Sequence, residues 1–290
     1  MSLLARINLL LATAFVLAMA VAGVVAHRVL QDQAKAEGIE TVELMLASAA
    51  ATRDYTRDEI APLVSPLIAE RFVPQMVPAY SAKQNIERLR RDRPAFIYRE
   101  ATLNPTNPAD RVTEWEADIV NRFRADKSLK QVTGERSTPA GPTLYMARPL
   151  AVSSETCLAC HSTAGAAPAT MIAAYGSTNG FGWQLGETVG AQIMSVPMAA
   201  ALDKADASFR AFMISLGVIF LVTAILVNIV VSQLVLKRIG RMANAAELIS
   251  KGDLDGAVFD AKGTDEIAQM GRSFERMRRS LAKSVALLGG

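Results

Sequence analysis

The sequence predicts an α+β domain with a small antiparallel sheet, flanked by two transmembrane helices and followed by a helical C-terminal segment. Three observations carry this. Two long apolar runs lack any charged side chain. Between them, short apolar segments bounded by turn residues alternate with helix-compatible stretches. Beyond the second run, apolar residues recur at spacings of three and four.

The apolar runs come first because a hydrophobic fraction of 51% is high for a chain that meets only water. Ile7 to Ala26 and Ala211 to Leu236 contain no Asp, Glu, Lys or Arg. At ~1.5 Å per residue each can cross a hydrocarbon core of ~30 Å. The first follows Arg6 and contains Ala20, Ala22 and Gly23, as a cleaved signal peptide would. It is longer than the ~7 to 15 residues of a signal core, however, and runs on into helix-compatible sequence, so it reads as a retained anchor. Lys237, Arg238 and Arg241 follow the second run directly, whereas Asp203, Lys204, Asp206 and Arg210 before it are mixed in sign. The positive-inside rule therefore places the C-terminus, and with two spans the N-terminus, in the cytoplasm. The expected order is transmembrane helix 7–26, an extracytoplasmic (periplasmic) domain 27–210, transmembrane helix 211–236 and a cytoplasmic segment 237–290, all in an inner (cytoplasmic) membrane.

Within the outer segment, 28–67 extends the first membrane helix until Pro62 and Pro66 interrupt it. Segments 95–98, 143–152 and 189–196 have the length and flanking turns of strands, the last stopped by Pro197. Segments 81–91 and 110–124 read as helices. Ser162 to Ala169, rich in Ala, Gly and Pro, reads as a loop.

The only cysteines are Cys157 and Cys160, followed at once by His161, which gives Cys-Leu-Ala-Cys-His. This is the attachment spacing of a c-type haem. Two thiols separated by two residues can reach both vinyl groups of one porphyrin, and the adjacent imidazole is carried beneath the ring as an iron ligand. A structural zinc site would need four ligands, and the only other histidine, His27, lies at the membrane edge. A thioredoxin-like pair would accompany a βαβ unit, and a plain disulfide leaves His161 unexplained. One motif implies one covalent haem c, on the outer side of the membrane where such haems are attached. Arg53, Arg99 and Arg148 are candidate partners for haem propionates, because guanidinium forks suit carboxylates. With both thiols used, the second axial ligand is expected to be a methionine from Met45, Met76, Met146, Met171, Met194 or Met198. Met45 is favoured because it lies on the helix leading out of the membrane, so the metal ligands are expected to be His161 and Met45; its alternative role is gap-filling core. Phe181 and Trp183 could wall the haem or belong to the core.

Taken together, Tyr98 to Pro108 (YREATLNPTNP), Arg148-Pro149, the Cys-Leu-Ala-Cys-His run, Tyr175-Gly176 and Gly180-Phe181-Gly182-Trp183 resemble a family of PAS-like extracytoplasmic c-type haem domains. The resemblance spans roughly Thr41 to Ala200. It implies a haem cradled by a PAS-like antiparallel sheet, a sensory role and a HAMP linker to follow. Locally, Asn104-Pro105 and Asn107-Pro108 also read as ordinary Asx-turn chemistry.

After the second span, Ile239, Met242, Ala246 and Ile249 form one apolar seam, broken by Gly252-Asp253-Leu254. Ile267, Met270, Phe274, Met277 and Leu281 form a second, introduced by Asp265-Glu266. Seams alone would suit plain dimerisation helices. With their connector they resemble a HAMP domain, which implies a homodimer through the HAMP and transmembrane helices and a relay across the membrane. The chain ends at Gly290 without room for an output domain, so a separate cytoplasmic signalling protein is the expected partner.

The expected function is a haem sensor of redox state or a diatomic gas; the alternative is a membrane-tethered monohaem cytochrome passing electrons to a redox partner. No acid, base or nucleophile arrangement accompanies the haem motif, so catalysis is not expected. A net charge of +3, evenly spread, gives no expectation of nucleic acid as a partner. The densest basic cluster, Arg276, Arg278, Arg279 and Lys283, reads as a solvated helix face near anionic lipid.

Overall fold

The computed structural model describes residues 2–92, 94–139, 141–254 and 263–288. The chain forms two compact units, one of His27–Ser208 and one of Met1–Ala26 with Phe209–Gly290.

Helix α1 (Leu3–Tyr55) passes into a π turn (Thr56–Ile60), α2 (Ala61–Val64) and a 3-10 turn (Ser65–Ala69). Pro62 and Pro66 each sit in the first turn of a new helical segment, where a missing N–H leaves no hydrogen bond unmade. The prolines therefore change the helix type rather than end it. A 3-10 turn (Pro74–Met76) leads to α3 (Pro78–Asp92), then β1 (Ile97–Thr102), a 3-10 turn (Pro108–Asp110), α4 (Glu114–Ala125), β2 (Val132–Thr138), β3 (Gly141–Ala151), α5 (Glu155–His161), α6 (Ala169–Tyr175) and β4 (Thr188–Pro197).

The four strands form one antiparallel sheet in the order β1-β4-β3-β2. Three strands fall where the apolar segments predict them, although β1 runs on through Arg99, Glu100 and Thr102. Those polar residues remain in the strand because they find partners: Glu100, 2% exposed, meets Arg53 and Tyr98, and Arg99 meets Glu116. Strand β2 and helix α6 are not anticipated. The outer positions of β2 are polar because it lies at the sheet edge, with one face to solvent.

Side-chain alternation sorts the sheet into two faces. On one, Ala101, Ala147 and Ile193 pack against Ile119, Val120 and Phe123 of α4. That helix begins where the Glu116 side chain accepts a 2.7 Å hydrogen bond from the Thr113 N–H. On the other face, Leu144, Met146, Met194 and Met198 pack against Val42 and Leu46 of α1. Thr102, Leu150 and Gly190 share this second face by register.

In the other unit, α7 (Ala199–Val230) continues through a π turn (Val231–Leu236) into α8 (Lys237–Ser250), and α9 (Glu266–Leu288) follows. Two helical runs, Leu3–Ala69 and Ala199–Ser250, are long and apolar enough to cross a membrane. Asn8 and Asn228 join them by reciprocal amide hydrogen bonds of 3.0 and 2.8 Å. Met242 and Ala245 of α8 pack against Ile249, Ile267 and Phe274. The first seam thus turns inward at Ala245 rather than at Ala246, which is half-buried. Gly252 takes φ +89° after α8, a left-handed helix stop. Residues 255–262 of the connector lie outside the described residues.

Candidate functional site

The unit His27–Ser208 contains a cavity of about 890 Å³, within the ~300 to 1,000 Å³ of small-molecule and cofactor sites. The turns after α1, the loop after β1, the end of β3 and helix α5 line it. Ser154 starts α5 by accepting a hydrogen bond from the Thr156 N–H at 3.2 Å. On a helix, positions three and four apart share a face, so α5 turns Cys157, Cys160 and His161 the same way. All three line the cavity, and both thiols are free. Burial, then the neighbouring Cys157, pushes the Cys160 thiol above its usual range.

His161 is held from three sides. Its Nδ1 lies 2.8 Å from the Gly180 carbonyl, its ring stacks on Trp183 at 4.0 Å between centroids and 15° between planes, and the Thr106 hydroxyl lies 3.4 Å from Nδ1. A carbonyl only accepts, so Nδ1 carries the proton and Nε2 keeps its lone pair. Burial lowers the imidazole's proton affinity, partly offset by the Gly180 bond. The ring is thus neutral and ready to ligate at Nε2.

The loop supplying that carbonyl is itself pinned. Asn104 donates to the Phe181 carbonyl at 3.3 Å and accepts from the Gly180 N–H at 3.2 Å. Gly182 and Trp183 donate to the carbonyls of Ser162 and His161 at 2.9 and 3.2 Å. Gly180 has φ +87°, and a Cβ there would lie 2.0 Å from the Thr106 hydroxyl oxygen. Asx-turn chemistry accounts for Asn107, which accepts from the Ala109 N–H, but not for Asn104, which joins two loops. Sequence reasoning passed over Asn104, Thr106 and Gly180 as functional residues. The signal available was the pairing of a Gly-rich aromatic motif with an Asn-rich one.

The other expected site residues separate. Arg53 lines the cavity and forms an ion pair with the buried Glu100, which also accepts from the Tyr98 hydroxyl at 2.8 Å. Burial, then Glu100, holds the Tyr98 hydroxyl far above the usual phenol range. Arg99 points to the opposite sheet face, where it bonds Glu116 at 2.7 and 3.3 Å and the Arg111 carbonyl at 2.9 Å. One position along a strand reverses the face, so Arg99 and the cysteines cannot meet. Arg148 shares the α1 face but pairs with Glu43 at 3.4 Å and does not line the cavity. Met45 does not line it either. It packs into the core with Leu46, Met146 and Met194, because its turn of α1 faces the middle of the sheet. The cavity-lining methionines are Met76 and Met171. Arg57 and the Lys83–Asp110 pair, at 2.5 Å, also line it.

Residues 31–197 match the family described as Tll0287-like (Tll0287), and residues 230–283 match the HAMP domain. Among solved structures, the chain is similar to "the cyanobacterial heme-protein Tll0287", with 17% identity and a TM-score of 0.45 over 56% of this chain and 95% of that one. No curated protein matches. With the family match spanning more than half of its length, the chain belongs to the Tll0287-like family and carries a HAMP domain behind that region.

Proposed function

We propose that the protein is a membrane-bound sensor that holds one covalent haem c in the cavity of its outer unit and relays a change of redox state or ligand through its HAMP domain. The HAMP domain implies signal transduction. The observation that carries the haem reading is the neutral His161, its Nδ1–H committed to Gly180, lining one cavity with two free thiols. That donor set fits a c-type haem, and the cavity has room for a cofactor. When bound, the haem supplies an iron centre that changes oxidation state or takes a small ligand.

The chain's residues hold and tune that centre. Cys157 and Cys160 would tether it, His161 Nε2 would offer its lone pair to the iron, and the Gly180 carbonyl would raise the basicity of the ring. Arg53 and Arg57 are the arginines of the cavity that would meet propionates, and each would share its charge with carboxylates it already pairs with, Glu100 for Arg53 and Asp54 and Asp58 for Arg57. Met76 and Met171 are the thioethers within the cavity. A signal must favour one of two states by its differential affinity, and helices α1 and α7 are the chain's own connections from the outer unit to the apolar spans. We assign the outer unit to the periplasmic side from the basic residues after the second span, and a homodimer and a separate cytoplasmic partner to the HAMP domain. A plain electron carrier leaves the HAMP domain without a role.

Two measurements test this. The double variant Cys157→Ala/Cys160→Ala should lose all haem staining after denaturation, whereas each single variant should shift the pyridine haemochrome band. Covalent haem persisting in the double variant would refute the assignment. Spectra of ferric and ferrous protein with and without CO and NO separate the two signals: a new ferrous band with either gas supports gas sensing, and indifference to both leaves redox state as the signal.

A further inference from the structure

The sheet face that carries α4 is not wholly covered by it. At one end of the strands lies a second cavity of about 400 Å³, again within the ~300 to 1,000 Å³ of small-molecule sites. Ile193, Ser195 and Pro197 of β4 and Ile97 of β1 line it, and Trp115, in the first turn of α4, forms a wall. Two arginines border it and differ in their partners. Arg99 is neutralised by Glu116. Arg136 lies with its guanidinium 4.1 Å from the Trp115 ring centroid and has no carboxylate partner among the described residues.

A second polar group is also unspent. Ser195 is 8% exposed, and its side chain lines the cavity with no hydrogen-bond partner among the described residues, which leaves the hydroxyl open to a ligand. Thr138 and Thr143 are already engaged with each other and with the Gly141 carbonyl. The cavity therefore presents one cation without a carboxylate partner, one hydroxyl open to a ligand, an aromatic face and an apolar floor.

We infer that this cavity binds a small organic monocarboxylate with a flat apolar body, at a site on the opposite sheet face from the cysteines. The carboxylate takes the Arg136 fork and the Ser195 hydroxyl, and the apolar body lies on Ile193, Pro197 and the Trp115 ring. A cation is disfavoured by Arg136, and a dianion would leave one charge unmatched in a largely apolar setting. Ser195 and Pro197 belong to the strand that leads through Met198 into α7, so the ligand contacts an element continuous with the second membrane helix.

Isothermal titration of the full-length protein in detergent, with sodium benzoate as the probe and benzyl alcohol as its neutral counterpart, tests this. Benzoate should bind saturably with a Kd on the order of 1 mM or tighter, and benzyl alcohol should give no saturable heat over the same range. Arg136→Gln should weaken benzoate by about tenfold or more and Ser195→Ala by about threefold or more, in line with the loss of charge-assisted and neutral hydrogen bonds. The haem spectrum should stay unchanged in both. Because Arg136→Gln also removes the contact with Trp115, Arg136→Lys serves as its folded control and should bind with intermediate affinity. Absence of benzoate binding to the wild type, equal binding of benzyl alcohol, or full affinity in Ser195→Ala together with either Arg136 variant overturns the proposal.

Discussion

His161 shows how a single side chain is prepared by its neighbours. The Gly180 carbonyl selects its tautomer, Trp183 limits its rotation, and Asn104 holds the loop that provides both. Two glycines of that loop should therefore respond differently to alanine. At Gly180 a Cβ meets Thr106 as well as a strained positive φ, whereas at Gly182, φ +80°, it meets nothing within 4 Å. Gly180→Ala should cost about 1 to 3 kcal/mol and disturb the histidine-ligated haem spectrum. Gly182→Ala should cost only about 1 kcal/mol of backbone strain and leave that spectrum intact. Thermal melts with visible spectra check both. Protonation gives a second expectation at this scale. Burial lowers the proton affinity of His161 below that of a free imidazole. In protein prepared without haem, the unfolded chain therefore takes up a proton just below pH 6.5 that the folded chain refuses, so stability rises with pH there and falls on acidification. Tm should drop between about pH 7 and about pH 5.5, the range in which histidine changes charge, and His161→Gln should flatten that slope.

At the scale of elements, α1 does two jobs along its length. Its apolar N-terminal part suits a membrane, and a later stretch buries Val42, Leu46 and Ala49 against the sheet. Met45 belongs to that second job. Met45→Ala should cost about 1 to 3 kcal/mol as a partly buried core truncation, without altering the visible spectrum. Met76→Ala and Met171→Ala are the variants expected to change any absorption due to iron bound by sulfur. An altered spectrum in Met45→Ala alone would contradict the placement of this helix turn. The π turn at Thr56–Ile60 sits where α1 reaches the cavity, in keeping with the concentration of such turns at functional sites.

Across the whole molecule, the two helices of the HAMP region bury only part of their apolar surface within one chain. Met242 and Ala245 are inside, yet Met270, Met277 and Leu281 are 41%, 46% and 42% exposed. These side chains recur at the spacing of a helical seam, and a second copy of the chain would cover them. Cysteine at Met277 should crosslink between subunits in membranes, whereas cysteine at the exposed, off-seam Arg276 should crosslink far less. Equal yields at both positions would count against a parallel seam. If the haem state drives the relay, the Met277 crosslinking rate should differ between oxidised and reduced protein.

Much of this was legible in the sequence because it rests on local physics. Charge-free runs declare helices long and apolar enough to cross a membrane by length and composition alone, a Cys-x-x-Cys-His run places its three donors within one helical turn, and seams declare themselves by period. Three strands were legible for the same reason, as apolar segments between turn residues. Strand β2 was not, because edge strands carry polar residues on their solvent face. The tertiary structure alone decided which arginines and methionines reach the cavity. Arg53 lines it, whereas Arg99 and Met45 do not, and the difference lies in strand parity and in which turn of α1 faces the sheet. The same holds for the carbonyl that prepares His161: Gly180 and Asn104 are far apart in the chain, and only the packing of two loops brings them to one imidazole.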